Sequence, residues 1–387
     1  MNTETLYYED CHLAAFSAVV LECAPSENGW QVVLDRTAFY PEGGGQAADM
    51  GVLSGVRVLH TREDGGKIVH LCDGPLAVGS RVEGRIDWQG RFHRMQQHTG
   101  EHLVSGIIHR RYGYHNTGFH MGADGITIDF DGVIPPEDLP AIEAEANGAV
   151  WADLEVKCWI PTPEELPQVV YRTKKQLPWP VRIVEVPGFD SCACCGVHVG
   201  RTGEVGLVKL FSSVPFRGGS RLVMACGGHA LAILNTAYAQ NQQVSQAFSV
   251  PMEETGAGAR RMNETLGALK YRITALEREK LETVAQSYRD AGDVLHFADT
   301  LDSGLVRELA DRIGSLCGGR AAVFSGNDGD GYSYCLVSSG EDLRPLGKTL
   351  NTALRGRGGG KSGCIQGRVS ATKDAITGFF SSMKTAF

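Results

Sequence analysis

Residues 1 to about 90 alternate short apolar runs with Gly, Asp and Asn. AAFSAVVLEC, WQVVLDRTAFY, GVLSGVRVLHT, GKIVHLC and SRVEGRIDW follow one another at near-even spacing. Such runs predict a small β-barrel or sandwich. From Phe92 the period changes. In QQHTGEHLVSGIIHRRYG the residues Leu103, Ile107 and Ile108 fall on one face, which predicts a helix. Strand-like GITIDFDG follows. PPEDLPAIEAEANGAVWADLEV then opens with prolines and acids, as helix N-termini do. VRIVEV, GEVGLVKLF and SRLVMAC return to strand character.

Met262, Leu266, Leu269, Ile273 and Leu276 are spaced 4, 3, 4, 3 with charges between them, an a/d seam. A helix packed on its own chain and an intermolecular coiled coil both fit it. Beyond it, DTLDSGLVRELADRIGSLCGG predicts a helix, RAAVFSG and YSYCLVSS strands, and LGKTLNTALRG a helix. A basic Gly-rich loop, RGRGGGKSG from Arg355 to Gly363, and a final helix complete the chain. The expected fold class is α+β and multidomain: a β-barrel over 1–90, an α+β domain over 91–245, an amphipathic helical linker over 246–290 and a C-terminal α/β domain over 291–387.

Composition narrows this picture. Apolar residues make up 42% of 387, enough for several cores, yet no run of about 18 apolar residues predicts a membrane span. The start, MNTETLYYEDCH, lacks the basic region of a secretory signal. A net charge of -8 argues against a generally cationic surface. Locally the balance reverses, because from Arg344 onward eight Lys or Arg face one acid, Asp374. The 11 cysteines are scattered except for Cys192, Cys194 and Cys195. A disulfide framework does not suit so long a chain; a reducing cytoplasm with one metal cluster does.

That cluster has two halves. His98 and His102, in HTGEH, stand four apart and share one helix face. Cys194 and His198, in CCGVHV, are also four apart. Together they offer three imidazoles and a thiolate, a set suited to zinc. Cys192 and Cys195 are near enough to take the place of Cys194.

With these motifs on the page, the chain resembles the free-standing alanyl-tRNA editing proteins in their long form, which are similar to the editing half of alanyl-tRNA synthetase. FYPEGGGQAADMG (Phe39–Gly51) matches the family's Gly-rich loop and HTGEH its HxxxH zinc motif. CGVHVGRTGEVG (Cys195–Gly206), with Cys194 before it, resembles the CxxxH motif; this match favours Cys194 as the ligand. RGRGGGKSGCIQGRVSA (Arg355–Ala371) looks like a C-terminal domain shared with certain phosphoesterases. The motifs occur in the family's order over nearly the whole chain. Where the family commonly has Gly-Gly-Thr before the last histidine, this chain has Cys195-Gly196-Val197.

The resemblance implies a zinc-dependent trans-editing deacylase acting on Ser-tRNA(Ala), with Gly-tRNA(Ala) a second candidate. A pocket selecting alanine cannot reject smaller glycine by size, nor strongly reject serine, which merely adds a hydroxyl. One zinc per chain would activate water, polarise the ester carbonyl or orient the substrate. Four protein ligands would close the ion unless it becomes five-coordinate.

Several residues are assigned expected roles. Glu101 is a candidate general base, although its position next to His102 turns it about 100 degrees away on a helix and also suits a structural carboxylate. Gly43, Gly44 and Gly45 are expected to cover the substrate, or else to form a plain hairpin. Thr117 is the candidate partner for a serine hydroxyl, with a surface turn the alternative; Gln46 comes next. Arg91, Arg94, Arg110 and Arg111 bracket the metal helix, and Arg172, Lys174, Lys175 and Arg182 precede the cysteines; each set suits acceptor-end phosphates or a solvated face. Arg355, Arg357 and Lys361 are expected to contact tRNA, with a nucleotide- or ATP-binding association for their loop. A homodimer through the linker or C-terminal domain is a further expectation. Beginning at the barrel leaves no room for a synthetase's activation domain, and no Asp-His-His motif supports a phosphoesterase. The non-enzymatic alternative is an RNA- or partner-binding protein with a structural zinc.

Overall fold

The computed structural model describes residues 2–122, 125–173 and 179–383. The chain divides into two compact units, Met1–Gln243 and Val244–Phe387.

In the first unit the N-terminal strands are β1 (Glu4–Thr5), β2 (Ala15–Ser26), β3 (Gly29–Leu34), β4 (Arg36–Thr37), β5 (Gly51–Leu53), β6 (Val56–Asp64), β7 (Lys67–Cys72) and β8 (Arg81–Ile86). Six of them close a barrel in the order β2-β3-β7-β6-β5-β8, while β1 pairs with β4. Alternation drives closure: Phe16, Ala18, Val20, Val32, Leu34, Leu53 and Val58 point inward together. The single run WQVVLDRTAFY is broken at Asp35, whose carboxylate accepts the Val19 and Arg36 N–H groups.

Helix α1 (Trp88–Tyr112) starts four residues before Phe92. Asp87 caps it, accepting the Gly90 N–H at 3.1 Å, and Gly113 ends it in the left-handed region. Every residue from Gln97 to Ile108 is buried, so α1 is the central rod of this part of the unit. Around it lie β9 (Asn116–Gly122), β10 (Gly125–Phe130), α2 (Leu139–Trp151), β11 (Lys157–Trp159), β12 (Ile183–Val186), β13 (Asp190–Ala193), β14 (Val208–Phe216) and β15 (Gly219–Cys226). The strands form two sheets, β14-β15-β10-β9 and β11-β12-β13. The unit division falls within α3 (Gly227–Phe248), a mostly exposed helix that opens on a Gly-Gly pair and that no apolar stripe announces.

The second unit carries α4 (Thr255–Gln286), β16 (Gly292–Ala298), α5 (Ser303–Leu316), β17 (Gly318–Asn327), β18 (Gly331–Val337), α6 (Arg344–Ala353), β19 (Gly356–Lys361), β20 (Cys364–Val369) and α7 (Lys373–Ser382). Its sheet has the order β16-β17-β18-β20-β19. The expected Gly-rich loop is instead edge strand β19, hairpinned to β20 with Gly360 opposite Ile365. The glycines permit this close approach: a Cβ on Gly360 would lie 2.1 Å from the Cys364 carbonyl oxygen. A phosphate-cradling loop, the basis for an ATP-type association, is not what these residues form. Among the described residues no helix is long and apolar enough to cross a membrane.

Candidate metal centre

Helix α1 presents His98 and His102 one turn apart, and the segment after β13 brings Cys194 and His198 to them. One ligand atom from each lies within 4.8 Å of the others. Cys194 Sγ is 3.4 Å from Nε2 of both His98 and His198. Ligands at zinc's usual bond lengths stand about 3.5 Å apart along a tetrahedral edge. The Nδ1 atoms all point outward to partners. His98 Nδ1–H donates to Gln46 Oε1 at 2.9 Å, and His102 Nδ1–H to Asp190 Oδ2 at 2.9 Å. His198 Nδ1 lies 3.1 Å from Thr99 Oγ1. Such partners set tautomer and ring angle so that three Nε2 atoms converge. The donor set and its orientation fit a zinc ion.

Electrostatics agree with that fit. Burial alone pushes the Cys194 thiol up, but the imidazoles of His98, His102 and His198 outweigh burial and hold it well below its ordinary value. Burial pulls His102 down, yet the Asp190 carboxylate and the Cys194 sulfur raise it well above. His198 is depressed by burial and by His98. Burial raises Asp190, but hydrogen bonds from His102 and Arg172 bring its carboxyl below the usual range. The cluster thus favours a thiolate paired with a protonated His102, an arrangement in which a bound cation would take the place of the His102 proton.

The sequence around Cys194 allows little change. A Cβ on Gly196 would lie 2.2 Å from His98 Cε1, so only glycine lets this backbone pass the ring. Arg182 donates to the Cys194 and Gly196 carbonyls and stacks over Tyr8.

The cluster is not sealed. His98, His102 and Cys194 line a cavity of about 310 Å³ together with Gly44, Glu101, His115, Asn116, Phe119, Arg172 and Cys192–Cys195. Phe119 stacks on His98 at 5.2 Å. Glu101 is buried on this wall, with Oε2 4.0 Å from His102 Nε2. Its Oε1 accepts the Ser105 hydroxyl at 2.5 Å and the Asn116 amide at 2.6 Å. The angle to His102 understated its position, because Glu101 also stands three residues after His98 and shares that face.

Other candidates fall elsewhere. Thr117 sits at a bulge of β9, exposed, with its hydroxyl on the Asp129 carbonyl at 3.2 Å, and does not line the cavity. The bulge shifts the register by one, so Asn116 takes the inward place. Gly43 and Gln46 close a tight turn that puts Gly44 on the cavity and Gln46 on His98. Arg91 is fully buried against Asp49, which Arg94 also meets at 2.9 Å; this pair ties α1 to the barrel strands and is not free for phosphate. Arg110 and Arg111 both pair with Glu145. Arg172 is held by Asp190 at 2.6 Å. Lys174 and Lys175 lie outside the described residues. Asp190 and Thr99 were not foreseen, although Thr99 lies inside HTGEH and Asp190 four residues before Cys194. Arg355, Arg357 and Lys361 are exposed on or beside β19 in the second unit, away from any described part of this cluster in sequence.

Comparison with known proteins defines the class first. Residues 2–90 match the model for class II (A) tRNA synthetases, and residues 181–221 that for the threonyl and alanyl tRNA synthetase second additional domain. The chain is 28% identical to alanyl-tRNA editing protein AlaX-L of Pyrococcus horikoshii, covering 96% of each. It is 25% identical to alanyl-tRNA editing protein Aarsd1 of Danio rerio, covering 94% of this chain and 93% of that one. An alanine–tRNA ligase of Thermofilum pendens is 32% identical over 96% of this chain, which spans only 43% of the ligase. The chain is thus similar to alanyl-tRNA editing proteins along nearly its whole length.

Proposed function

We propose that this protein hydrolyses the ester of mischarged tRNA(Ala), removing serine, and glycine as a second substrate, at a zinc ion held by His98, His102, Cys194 and His198. The observation that carries this reading is that three of the four donors, His98, His102 and Cys194, line an open cavity, where a purely structural ion would be enclosed. A zinc ion there supplies a Lewis acid beside the scissile ester.

The chain's own groups do the rest. Glu101 accepts the proton of the attacking water at Oε2, while Ser105 and Asn116 hold Oε1 still. The proton then passes to the ribose oxygen as the acyl–oxygen bond breaks. Phe119 covers one side of the acyl group, and the Gly44 turn leaves room for the ribose. In the second unit, Arg357 and Arg368 stand directly opposite on β19 and β20, and Lys361 shares the face of Arg357. Like charges so placed repel unless an anion lies over them, so this hairpin, with Arg355, is assigned to tRNA phosphate.

Purified protein offered Ser-, Gly- and Ala-tRNA(Ala) tests the reading. Release of serine and glycine with alanine spared is the expected result; no release from any of them overturns it.

A further inference from the structure

Two cavities meet beside the metal cluster. The first, on which His98, His102 and Cys194 lie, adjoins a second of about 360 Å³. His115, Arg172 and Thr173 line both, so the two are continuous. Each is of the size that encloses one nucleoside-sized ligand. The ester hydrolysis proposed above fills the first and leaves the second without an occupant.

The second cavity has walls of a different kind. The last turn of α1 contributes His109 and Arg110, and the turn before β13 contributes Phe189. Tyr171 comes from the chain between β11 and β12. The rings of His109 and His115 lie 5.0 Å apart, tilted by 60 degrees. Arg110 spreads over the Phe189 ring at 5.6 Å. Among the described residues the Tyr171 side chain has no aromatic, ionic or hydrogen-bond partner. Unpartnered aromatic faces on a polar wall are how proteins present rings to unpaired bases. The charge is cationic on balance. Arg110 and Arg111 share the single carboxylate of Glu145, which leaves one positive charge over at the rim. Asp190 is the one acid among the described residues of this wall. Arg172 takes its two oxygens at 2.6 and 2.8 Å, and His102 adds a third bond at 2.9 Å, so it is not free to repel a phosphate.

We propose that the second cavity seats the nucleotide preceding the esterified one at the 3′ end of the tRNA, with its base on Tyr171 and its phosphate at Arg110. The proposal rests on the hydrolytic reading above for the occupant of the first cavity. An ester held at the cluster keeps its nucleoside tethered to the strand, and the strand continues through one phosphate to the next nucleotide. The adjoining cavity lies one step along that path. It carries what such a nucleotide needs, ring faces for an unstacked base and a guanidinium for the phosphate. Stacking tolerates any base, so the contact does not choose the acyl group. It fixes how far the strand enters, and so where the ester carbon lies against the cluster. Tyr171 and Arg110 are therefore positioning residues.

Two stable analogues test this by calorimetric titration of the full chain. One carries serine in amide linkage on 3′-amino-3′-deoxyadenosine. The other is the same unit extended through its 5′ phosphate by cytidine. The extended analogue should bind roughly five- to a hundredfold tighter, the range for one stacked base. Tyr171→Ala should bring the two affinities together, and Tyr171→Phe should keep them apart. The ratio is the readout, so any loss common to both analogues cancels. Arg110→Gln should lower the salt slope for the extended analogue by about 0.7, the share of one single-strand phosphate. Equal affinities in the unaltered chain, no binding of the extended analogue, or a gain that survives Tyr171→Ala overturns the proposal. An unchanged salt slope in Arg110→Gln overturns the phosphate assignment. Serine release from Ser-tRNA(Ala) is scored separately. A chain that releases serine yet shows no gain loses only the second cavity's role, and one that shows the gain but releases nothing loses the hydrolytic reading.

Discussion

The Gln46 side-chain oxygen accepts the His98 Nδ1–H at 2.9 Å and the Val197 N–H at 3.2 Å. One amide from the glycine turn thereby sets the ring of one proposed metal ligand and the backbone leading to another, His198. Outer partners of this kind commonly tune metal affinity ten- to a hundredfold. Gln46→Ala is expected to weaken zinc retention within that range, read by competition with a chromophoric chelator, with far-ultraviolet circular dichroism unchanged. Unaltered retention would leave Gln46 a structural link only.

Asn116 and Ser105 hold one oxygen of Glu101, and the other faces the cluster. Loss of a hydrogen bond to a charged group costs about 1.5–3 kcal/mol, or roughly ten- to a hundredfold in rate if it acts in the transition state. Asn116→Ala should lower kcat for Ser-tRNA(Ala) by that factor with KM nearly constant, and Glu101→Gln should lower it more. Thr117→Val should change neither the rate nor the serine-to-alanine ratio, because its hydroxyl is spent on Asp129 outside the cavity. A selective loss with Thr117→Val would return the choice of acyl group to that residue.

The β19–β20 hairpin is testable by salt. Each phosphate that a cation no longer neutralises lowers the slope of log affinity against log salt by about one. Replacing Arg357 and Lys361 by Ala should reduce the slope for tRNA by about two while zinc content is unchanged. An unchanged slope would assign the hairpin to assembly.

His70 gives a pH signature to the barrel. Its ring is fully buried, donating to the Val32 carbonyl and meeting Thr37 Oγ1, and burial lowers its pKa from 6.5 to about 4. The folded value is depressed, so the unfolded chain binds a proton first as pH falls. Stability is therefore complete above pH 6.5 and declines toward pH 4, by about 3 kcal/mol in all. Thermal melts between pH 7 and pH 4.5 should show this decline, and His70→Gln should flatten it. An equal decline in the variant would trace the effect to other groups.

Much of this was legible in the chain because it depends on local period. Alternation announced the barrel strands, and the four-residue spacings of His98 with His102 and of Cys194 with His198 announced the cluster. What escaped depends on tertiary packing. Asp190 joins His102 only because β13 packs on α1, and Arg91 reads as a surface cation until Asp49 is folded against it. Thr117 was misplaced by a one-residue bulge that no pattern in HNTGFH signals. The run RGRGGGKSG reads as loop because glycine has no strand preference, yet its missing side chains are what let β19 lie close on β20.

The central claim is that the cluster is catalytic, and chelation tests it most directly. Protein stripped of metal and its zinc-reconstituted form should be compared for Ser-tRNA(Ala) deacylation, with circular dichroism recorded on both. The account predicts a stripped protein that keeps its secondary structure, loses serine release, and regains it with about one equivalent of zinc, whereas His98→Ala does not regain it. Undiminished serine release by protein free of metal would contradict it.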